Sequence, residues 1–210
     1  KANLYVTRDA NASMLELVRQ YKGKKADFTH ITSVFDNYMI VLLHLGLIRK
    51  LVAGSCLHRY PIPHPIKLLQ KAIGNNSIEF NGWSLCSLQQ RLMAGAWGVP
   101  FMPTGSLRGS DLARDNQAEF KVIEDPFRSG VSHGVVMALN PDIALVHGCV
   151  ADPFGNTIQS PPFEESMWGP RASRGGVIMT VEKVVSPDFI RKHSHMVTLP
   201  GYLVKAVCEV

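Results

Sequence analysis

The sequence lacks paired cysteines. Its four cysteines, Cys56, Cys86, Cys149 and Cys208, lie far apart and form no C-x-x-C pair. Because a free cysteine in apolar surroundings behaves as a small hydrophobic residue, the spacing favours reduced structural thiols over disulfides. Cys56 differs from the others, since it ends a predicted strand, and active-site residues of open α/β sheets gather at strand ends.

Metal-ligand spacing is also lacking, although the chain has eight histidines. His58 and His64 flank a proline-rich loop, and His193 and His195 form an H-x-H pair, but neither pair has companions spaced as in H-E-x-x-H. We therefore expect no metal site and solvent-facing histidine pairs. For His147, at the end of an apolar strand, we expect a buried imidazole with its hydrogen bonds satisfied.

Long hydrophobic runs and one-sided charge are missing as well. The longest apolar stretch, residues 38–48, is far shorter than the roughly 20 residues of a membrane span, and no signal-peptide pattern opens the sequence. The net charge is +5, yet the only tight basic cluster, Lys22, Lys24 and Lys25, has no interleaved aromatic residues. These features predict a cytoplasmic protein that binds neither membranes nor nucleic acid.

What the sequence does contain is an alternation of apolar strands and helices. With 210 residues, 46% of them hydrophobic and 19% charged, it suits a single domain over residues 1–210. The alternation predicts an α/β fold with a mainly parallel sheet of six or seven strands and helices on both faces. The predicted strands lie near residues 4–6, 28–34, 50–56, 77–80, 121–123, 135–138 and 143–146, and the predicted helices near 13–20, 37–45, 66–72 and 84–97.

Several helical signals are specific enough to test. Ser13 is available as a cap for the first helix. In the helix at 84–97, the small residues Ala94, Gly95 and Ala96 would let the helix lie close to the sheet. The stretch 104–118 is polar and lacks periodicity, so we predict a long loop, a type of segment that is often functional.

Six segments in chain order carry a family resemblance. They are residues 77–104, GSLRGSD at 105–111, FKVIEDPFR at 120–128, PDIALVHGCVADPFGN at 141–156, GVIMTVEKVVS at 176–186 and LPGYLVKAVCEV at 199–210. The first half of PDIALVHGCVADPFGN is typical of a strand buried on both faces, and the second half of a turn. Together the six segments resemble the α subunit of family I coenzyme A transferases, of the type found in glutaconate CoA-transferase and 3-oxoacid CoA-transferase.

The resemblance implies a heteromeric enzyme that moves coenzyme A between carboxylic acids. It implies a homologous β subunit, in a heterodimer or an α2β2 assembly, with an acyl-CoA and a carboxylate as substrates and no permanently bound cofactor. The family's nucleophilic glutamate lies in the β half, and Glu79, in an E-F-N-G context, matches the α subunit's own strand instead. Asp36 stands at the pseudo-equivalent strand end, where an Asp more often caps the next helix than acts as a base. We therefore expect no catalytic residue in this chain.

A binding rim is expected where the strands end, because ligands of such sheets bind beyond the carboxyl ends of the strands. The Gly- and Ser-bearing loop at 105–111 would form one wall and donate hydrogen bonds to a carboxylate or thioester oxygen, with an ordinary surface loop as the alternative. Phe35 would provide an apolar contact to the ligand. The predicted substrate and coenzyme A-binding residues are Thr7, Ser33, Phe35, Ser55, Ser106, Gly109 and Ser110.

The chain departs from the family pattern at its first strand. Residues 4–9, LYVTRD, replace a G-G-F turn whose glycines allow a close backbone approach to the ligand. This leaves open an enzyme that decarboxylates or hydrolyses a CoA thioester, or a chain that is catalytically silent. The Lys22, Lys24 and Lys25 cluster is interpreted as solvated surface, with help in holding coenzyme A phosphates as a weaker alternative.

Overall fold

The computed structural model describes residues 3–7, 10–36, 39–58, 64–161, 163 and 167–210, with the backbone alone described for residues 3–7. The strands are β1 (Asn3–Thr7), β2 (Phe28–Phe35), β3 (Ile48–Cys56), β4 (Glu79–Gly82), β5 (Phe101–Thr104), β6 (Phe120–Glu124), β7 (Ser132–Met137), β8 (Ile143–Ala151), β9 (Thr157–Ile158), β10 (Val177–Val184), β11 (Val197–Leu199) and β12 (Val204–Glu209). The α-helices are α1 (Asn11–Tyr21), α2 (Met39–His44), α3 (Lys67–Gly74), α4 (Leu85–Trp97), α5 (Asp111–Asp115), α6 (Gly169–Ala172) and α7 (Pro187–Lys192).

The main sheet is parallel and is wound outward from its centre. Seven strands pair in parallel in the order β12-β10-β8-β1-β2-β3-β4, while β9 and β11 add a short antiparallel extension beside the end of β8. From β1, the first described strand, the chain builds one half through β4 and then crosses back to β8 on the other side of β1. The predicted α/β fold with a mainly parallel sheet is confirmed, and its topological switch point lies between β1 and β8. That residues 1–210 form one domain stays a prediction.

Layers of helices cover the two faces of this sheet. Side chains of a strand alternate between faces, so Leu145 of β8 packs in one core cluster and Val146 in the other. The first cluster receives α1, α2 and α3, for example through Met14. The second receives α4 and α6, for example through Leu92. Of the described helices, none is both long and apolar enough to span a bilayer.

A separate antiparallel sheet, ordered β5-β7-β6, lies beside α4. Arg91 of α4 connects the two parts: its Nε donates to the carbonyl oxygen of Met137 at 3.0 Å, and its guanidinium lies 4.2 Å from the ring of Trp83. Gly95 allows the close contact, because a Cβ there would lie 2.5 Å from the carbonyl oxygen of Leu139. The small residue serves close approach as predicted, although the neighbour is the segment after β7 and not the sheet.

Two local predictions need correction. Helix α1 begins at Asn11, so Ser13 lies inside it, buried and without a hydrogen-bond partner for its hydroxyl in the described part of the chain. The predicted cap is therefore wrong. The predicted loop over 104–118 contains the five-residue helix α5, which is too short for its apolar spacing to stand out in the sequence.

Candidate active site

The carboxyl ends of β2 and β3 meet the start of α4. Leu85, the first residue of α4, packs directly on Gly54 of β3, where an added Cβ would lie 2.8 Å from Leu85 Cδ2 and 3.0 Å from the carbonyl oxygen of Ser33. Since any side chain at Gly54 would push the helix away, this glycine brings the N-terminus of α4 against the rim.

A buried polar pair lies at this contact. Ser33 is 1% exposed, and Nε2 of Gln89 in α4 donates to its hydroxyl at 2.6 Å. The Oε1 atom of Gln89 is buried and finds no partner among the described residues. Gln89 was missed in the sequence, although it stands one helical turn after Leu85 and therefore on the same face of α4.

Hydroxyl groups join the helix start to the Gly- and Ser-bearing loop. Ser84 caps α4 by accepting from the backbone N–H of Ser87 at 3.0 Å, and its Oγ lies 2.9 Å from Oγ of Ser106. The N–H of Ser106 donates to Oγ1 of Thr104 at 3.0 Å. The S-x-x-S capping pattern before an apolar run was the available signal for Ser84 and Ser87.

This arrangement provides donors for an anionic oxygen. The hydroxyl of Ser84 lies 2.8 Å from that of Ser87 and 2.9 Å from that of Ser106, and either oxygen of each pair can be the donor, so one arrangement has Ser84 donating to Ser106. Ser106 then keeps its own proton for a ligand. The exposed amide dipoles of the 13-residue helix α4 add partial positive charge at the same place.

The loop at 105–111 holds an unusual backbone. Leu107 has φ of 78° and is buried in the second core cluster, a conformation that a bulky residue adopts only under constraint. Gly109 has φ of 73°, and the hydroxyl of Ser110 donates to the carbonyl oxygen of Leu107 at 2.6 Å and caps α5. Gly109 and Ser110 thus shape the loop that carries Ser106.

The remaining predicted rim residues have different positions. The backbone of Thr7 ends β1 beside Val146, and its side chain lies outside the described part; Ser55 is half-buried near the end of β3. Phe35 is fully buried and packs edge-on against His30, with ring centroids 5.8 Å apart. The predicted apolar contact of Phe35 with a ligand is therefore wrong, because its ring belongs to the core.

Two acidic residues weighed as catalytic groups can be placed. Glu79 begins β4, at the sheet edge opposite the rim, and its carboxylate lies 2.6 Å from Nζ of Lys50. This location agrees with its rejection as a nucleophile. Asp36 is fully buried just after β2, and its carbonyl oxygen accepts from the N–H of Met39 in the first turn of α2.

Burial shifts the pKa of the half-buried Cys56 and of the fully buried His30 away from neutral pH. Burial raises the pKa of Cys56 to about 12 and lowers the pKa of His30 to about 4. The other three cysteines, Cys86, Cys149 and Cys208, are free but exposed, so the prediction that they are structural thiols in apolar surroundings is wrong for these three. Cys56 is protonated at neutral pH and is not an activated nucleophile.

Histidines elsewhere have local partners. His147 places Nδ1 3.1 Å from Oγ1 of Thr180 and Nε2 3.0 Å from Oε1 of Glu182, but its side chain is 27% exposed, so it is satisfied without being buried. His58 and His64 form a backbone bridge with ring centroids 4.6 Å apart. Within the described ranges, no group of three or more His, Cys, Asp or Glu side chains could hold a metal ion.

Comparison with known proteins identifies the family. The family model described as "Coenzyme A transferase" matches residues 41–210. The chain belongs to the coenzyme A transferase family. An uncharacterised protein of Archaeoglobus fulgidus is 33% identical over 85% of this chain and 38% of its own length. The A subunit of the 3-oxoadipate CoA-transferase of Pseudomonas knackmussii is 29% identical over 95% of this chain and 68% of its own length. The chain thus spans well under half of the archaeal relative.

Solved structures agree on the fold. Glutaconate coenzyme A-transferase from Acidaminococcus fermentans superposes with a TM-score of 0.88 at 21% identity, covering 100% of this chain and 70% of that chain. A variant of the decarboxylase AibA/AibB gives a TM-score of 0.83 at 26% identity, covering 100% of this chain and 77% of that chain. The α-subunit resemblance drawn from the six segments is confirmed, and this coenzyme A transferase scaffold also occurs in a decarboxylase.

Proposed function

We propose that this chain is the α subunit of a heteromeric enzyme that transfers coenzyme A between carboxylic acids, working with a homologous β subunit. The observation that carries the proposal is the family match over residues 41–210, together with a relative that is named as one subunit of a CoA-transferase. Coenzyme A enters as the thioester substrate and not as a resident cofactor.

In this proposal the chain binds and orients the acyl-CoA substrate, and the β subunit supplies the nucleophile. The β subunit's glutamate attacks the thioester carbonyl, which forms an acyl-glutamyl anhydride and releases the coenzyme A thiolate. The thiolate attacks the glutamyl carbonyl, which releases the first carboxylate and leaves a glutamyl-CoA thioester. The acceptor carboxylate then reverses these two steps and leaves as the new CoA thioester. The hydroxyl of Ser106, held by Ser84, and the N-terminus of α4 donate to the oxygen on which negative charge develops. Ser33 and Gln89 hold α4 in place behind that oxygen.

A second candidate is supported by one observation. The AibA/AibB structure shares 26% identity over the whole chain and is described as a decarboxylase. Decarboxylation or hydrolysis of a CoA thioester on the same fold is therefore the alternative. The replaced G-G-F turn motivates a third reading, a catalytically silent subunit; Arg8 and Asp9 of that segment lie outside the described residues.

The discriminating experiment uses the assembled enzyme. The chain is co-purified with the product of its neighbouring gene, and three products are measured from one acyl-CoA: the CoA thioester of an added carboxylate, carbon dioxide, and free coenzyme A. Transfer predicts the new thioester and a borohydride-sensitive glutamyl thioester on the β subunit. Carbon dioxide without exchange would favour the decarboxylase, free coenzyme A without exchange would favour the hydrolase, and no turnover would favour the silent subunit.

Assembly is tested on the same preparation. Mass in solution is expected to correspond to a heterodimer or an α2β2 assembly, because the proposed site needs the β subunit's nucleophile. A stable homomer of this chain that turns over acyl-CoA without a partner would rule out the division of labour proposed here.

A further inference from the structure

An open cleft with a basic rim lies next to the loop that carries Ser106. Its volume is about 520 Å³, within the range of small-molecule sites, and it lies between that loop, α5 and β6. Three cationic side chains line it, from Arg108, Arg114 and Lys121. The apolar lining comes from the half-exposed Val122 and the nearly buried Phe120, and no carboxylate is among the described lining residues.

The cations differ in how they are held. The guanidinium of Arg108 is fixed by bonds from Nη1 to the carbonyl oxygen of Ser132 at 2.9 Å and from Nη2 to its hydroxyl at 3.3 Å. Since a guanidinium has five N–H donors, Arg108 keeps donors for a ligand. Lys121 is exposed and has no ion-pair partner in the described part of the chain, whereas Arg114 pairs with Asp111 at 2.8 Å on the surface.

The cleft is connected to the candidate active site. Arg108 also lines a second, smaller cleft of about 240 Å³ with Thr104, Gly105 and His133. Arg108 lines both clefts, and Thr104, which accepts from the N–H of Ser106, lines the smaller one, so both clefts border the loop that carries Ser106. An elongated ligand could therefore place one end at Ser106 and the other beside Lys121.

We propose that this basic cleft binds the phosphate-bearing nucleotide end of a coenzyme A thioester whose acyl end lies at Ser106. The inference rests on the proposed function. Arginine and lysine pair with phosphate oxygens, Gln117 offers hydrogen bonds to a base, and the half-exposed Val122 offers an apolar surface for its ring. A phosphate group joined to an aromatic ring is the chemistry that this combination matches.

The alternative basic cluster lies at the edge of the sheet opposite the rim. Lys22, Lys24 and Lys25 follow the C-terminal end of α1 and precede the start of β2 at Phe28, so they lie at the amino edge of the parallel strands. The rim lies at the carboxyl edge. The alternative drawn from the sequence, that these lysines help to hold phosphates at the rim, is therefore not supported, and they serve as controls instead.

The first test measures binding directly, with adenosine 3′,5′-bisphosphate as the probe and inorganic phosphate as the comparison ligand. Titration calorimetry on the assembled enzyme is expected to show binding that Lys121→Gln and Arg114→Gln each weaken about tenfold, as for loss of one charge-assisted hydrogen bond. Lys22→Gln is the matched lysine control. Arg19→Gln matches Arg114, because Arg19 is an exposed helical arginine paired three residues away with Glu16.

The second test separates the two ends of the substrate. With an acyl-CoA, Lys121→Gln and Arg114→Gln are expected to raise KM about tenfold, with kcat changed less than KM. With the corresponding acyl-pantetheine, which lacks the nucleotide, KM is expected to stay as in the unaltered enzyme. The control variants should match the unaltered enzyme with both substrates, and all variants should keep its unfolding temperature.

The outcomes distinguish this inference from the proposed function. Equal KM changes for acyl-CoA and acyl-pantetheine, or bisphosphate binding no tighter than inorganic phosphate, would overturn the cleft assignment while leaving transfer activity intact. Bisphosphate binding that depends on Lys121 and Arg114, in an enzyme that processes neither thioester, would support the cleft and reject the proposed function.

Discussion

The parallel sheet and the small antiparallel sheet differ in how they are buried. In the parallel sheet, Val146 and Met179 are fully buried between layers of helices, whereas in the small sheet Phe101, Met137 and Val122 are about half exposed. The first part can therefore hold its shape through apolar packing on both faces. The second depends on the contact that α4 makes with it, and it carries the loop and the basic cleft. Apolar packing and the proposed ligand contacts are thus concentrated in different parts of the molecule.

We expect replacement of Arg91 to have the largest effect on the contact between α4 and the small sheet. Burial lowers the pKa of Arg91 to about 10, so the guanidinium stays charged at neutral pH, with Glu119 3.9 Å away and the Met137 carbonyl oxygen as acceptor. Arg91→Met keeps the apolar stem but leaves both groups without their partner. We expect the free energy of unfolding to fall by about 3 kcal/mol in urea titrations.

The control is Arg19→Met, since Arg19 is an exposed helical arginine paired with Glu16. It should change the free energy of unfolding by no more than about 1 kcal/mol. An Arg91→Met protein as stable as the Arg19→Met protein would show that the small sheet does not depend on this joint.

The second prediction tests the stability of the parallel sheet at acidic pH. The pKa of His30 is about 4 in the folded chain and 6.5 when the imidazole is not buried, so the unfolded chain binds a proton that the folded chain refuses between these values. The free energy of unfolding is therefore not reduced by His30 above pH 6.5. As the pH falls from 6.5 toward 4, protonation of His30 in the unfolded chain lowers it by up to about 3 kcal/mol. Unfolding in urea across this pH range measures the loss.

His30→Leu should remove most of this acid dependence, because a buried leucine has no proton to gain. His195→Gln, at an exposed histidine, should retain it. If His30→Leu and the unaltered chain lose stability in parallel between pH 6.5 and 4, the acid sensitivity arises outside the parallel core.

The same contrast explains what the sequence could reveal. Residues 143–146 were predicted as a buried strand and lie inside β8, because continuous apolar runs mark strands covered on both faces. The bond of Gln89 to Ser33 joins residues 56 positions apart, and no local period signals it. Phe35 was placed at the rim because it ends β2, yet its ring turns into the core, since strand position fixes the backbone but not the direction of a terminal side chain.

The third prediction addresses the loop. Ser106→Ala removes the hydroxyl that lies 2.9 Å from Oγ of Ser84 and that we expect to donate to the developing oxyanion. Turnover of acyl-CoA by the assembled enzyme should fall between about tenfold and a thousandfold, with little change in KM. Ser106→Thr keeps a hydroxyl and should restore part of the rate. Unchanged kinetics for Ser106→Ala would mark the loop as ordinary surface.

Ser110→Ala should have a smaller and different effect. Its hydroxyl caps α5 and bonds to the carbonyl oxygen of Leu107 at 2.6 Å, so its loss should cost about 1 kcal/mol of unfolding free energy. Turnover should fall less than for Ser106→Ala, because the loop loosens while Ser106 remains. Ser110→Asn supplies another good capping side chain and should recover stability; failure of this rescue, with turnover as low as in Ser106→Ala, would assign Ser110 a direct role.

The smallest expected effect concerns the thiol at the end of β3. Burial raises the pKa of Cys56 from 9.0 to about 12, so its thiolate fraction at pH 7.5 is roughly a thousandfold below that of an ordinary thiol. Iodoacetamide should therefore modify the exposed Cys149 and Cys208 first and leave Cys56 almost unlabelled, as read by peptide mass spectrometry over time. Cys56 labelled as fast as Cys149 would show that the parallel sheet opens at its rim, where the packing of Leu85 on Gly54 now indicates a closed edge.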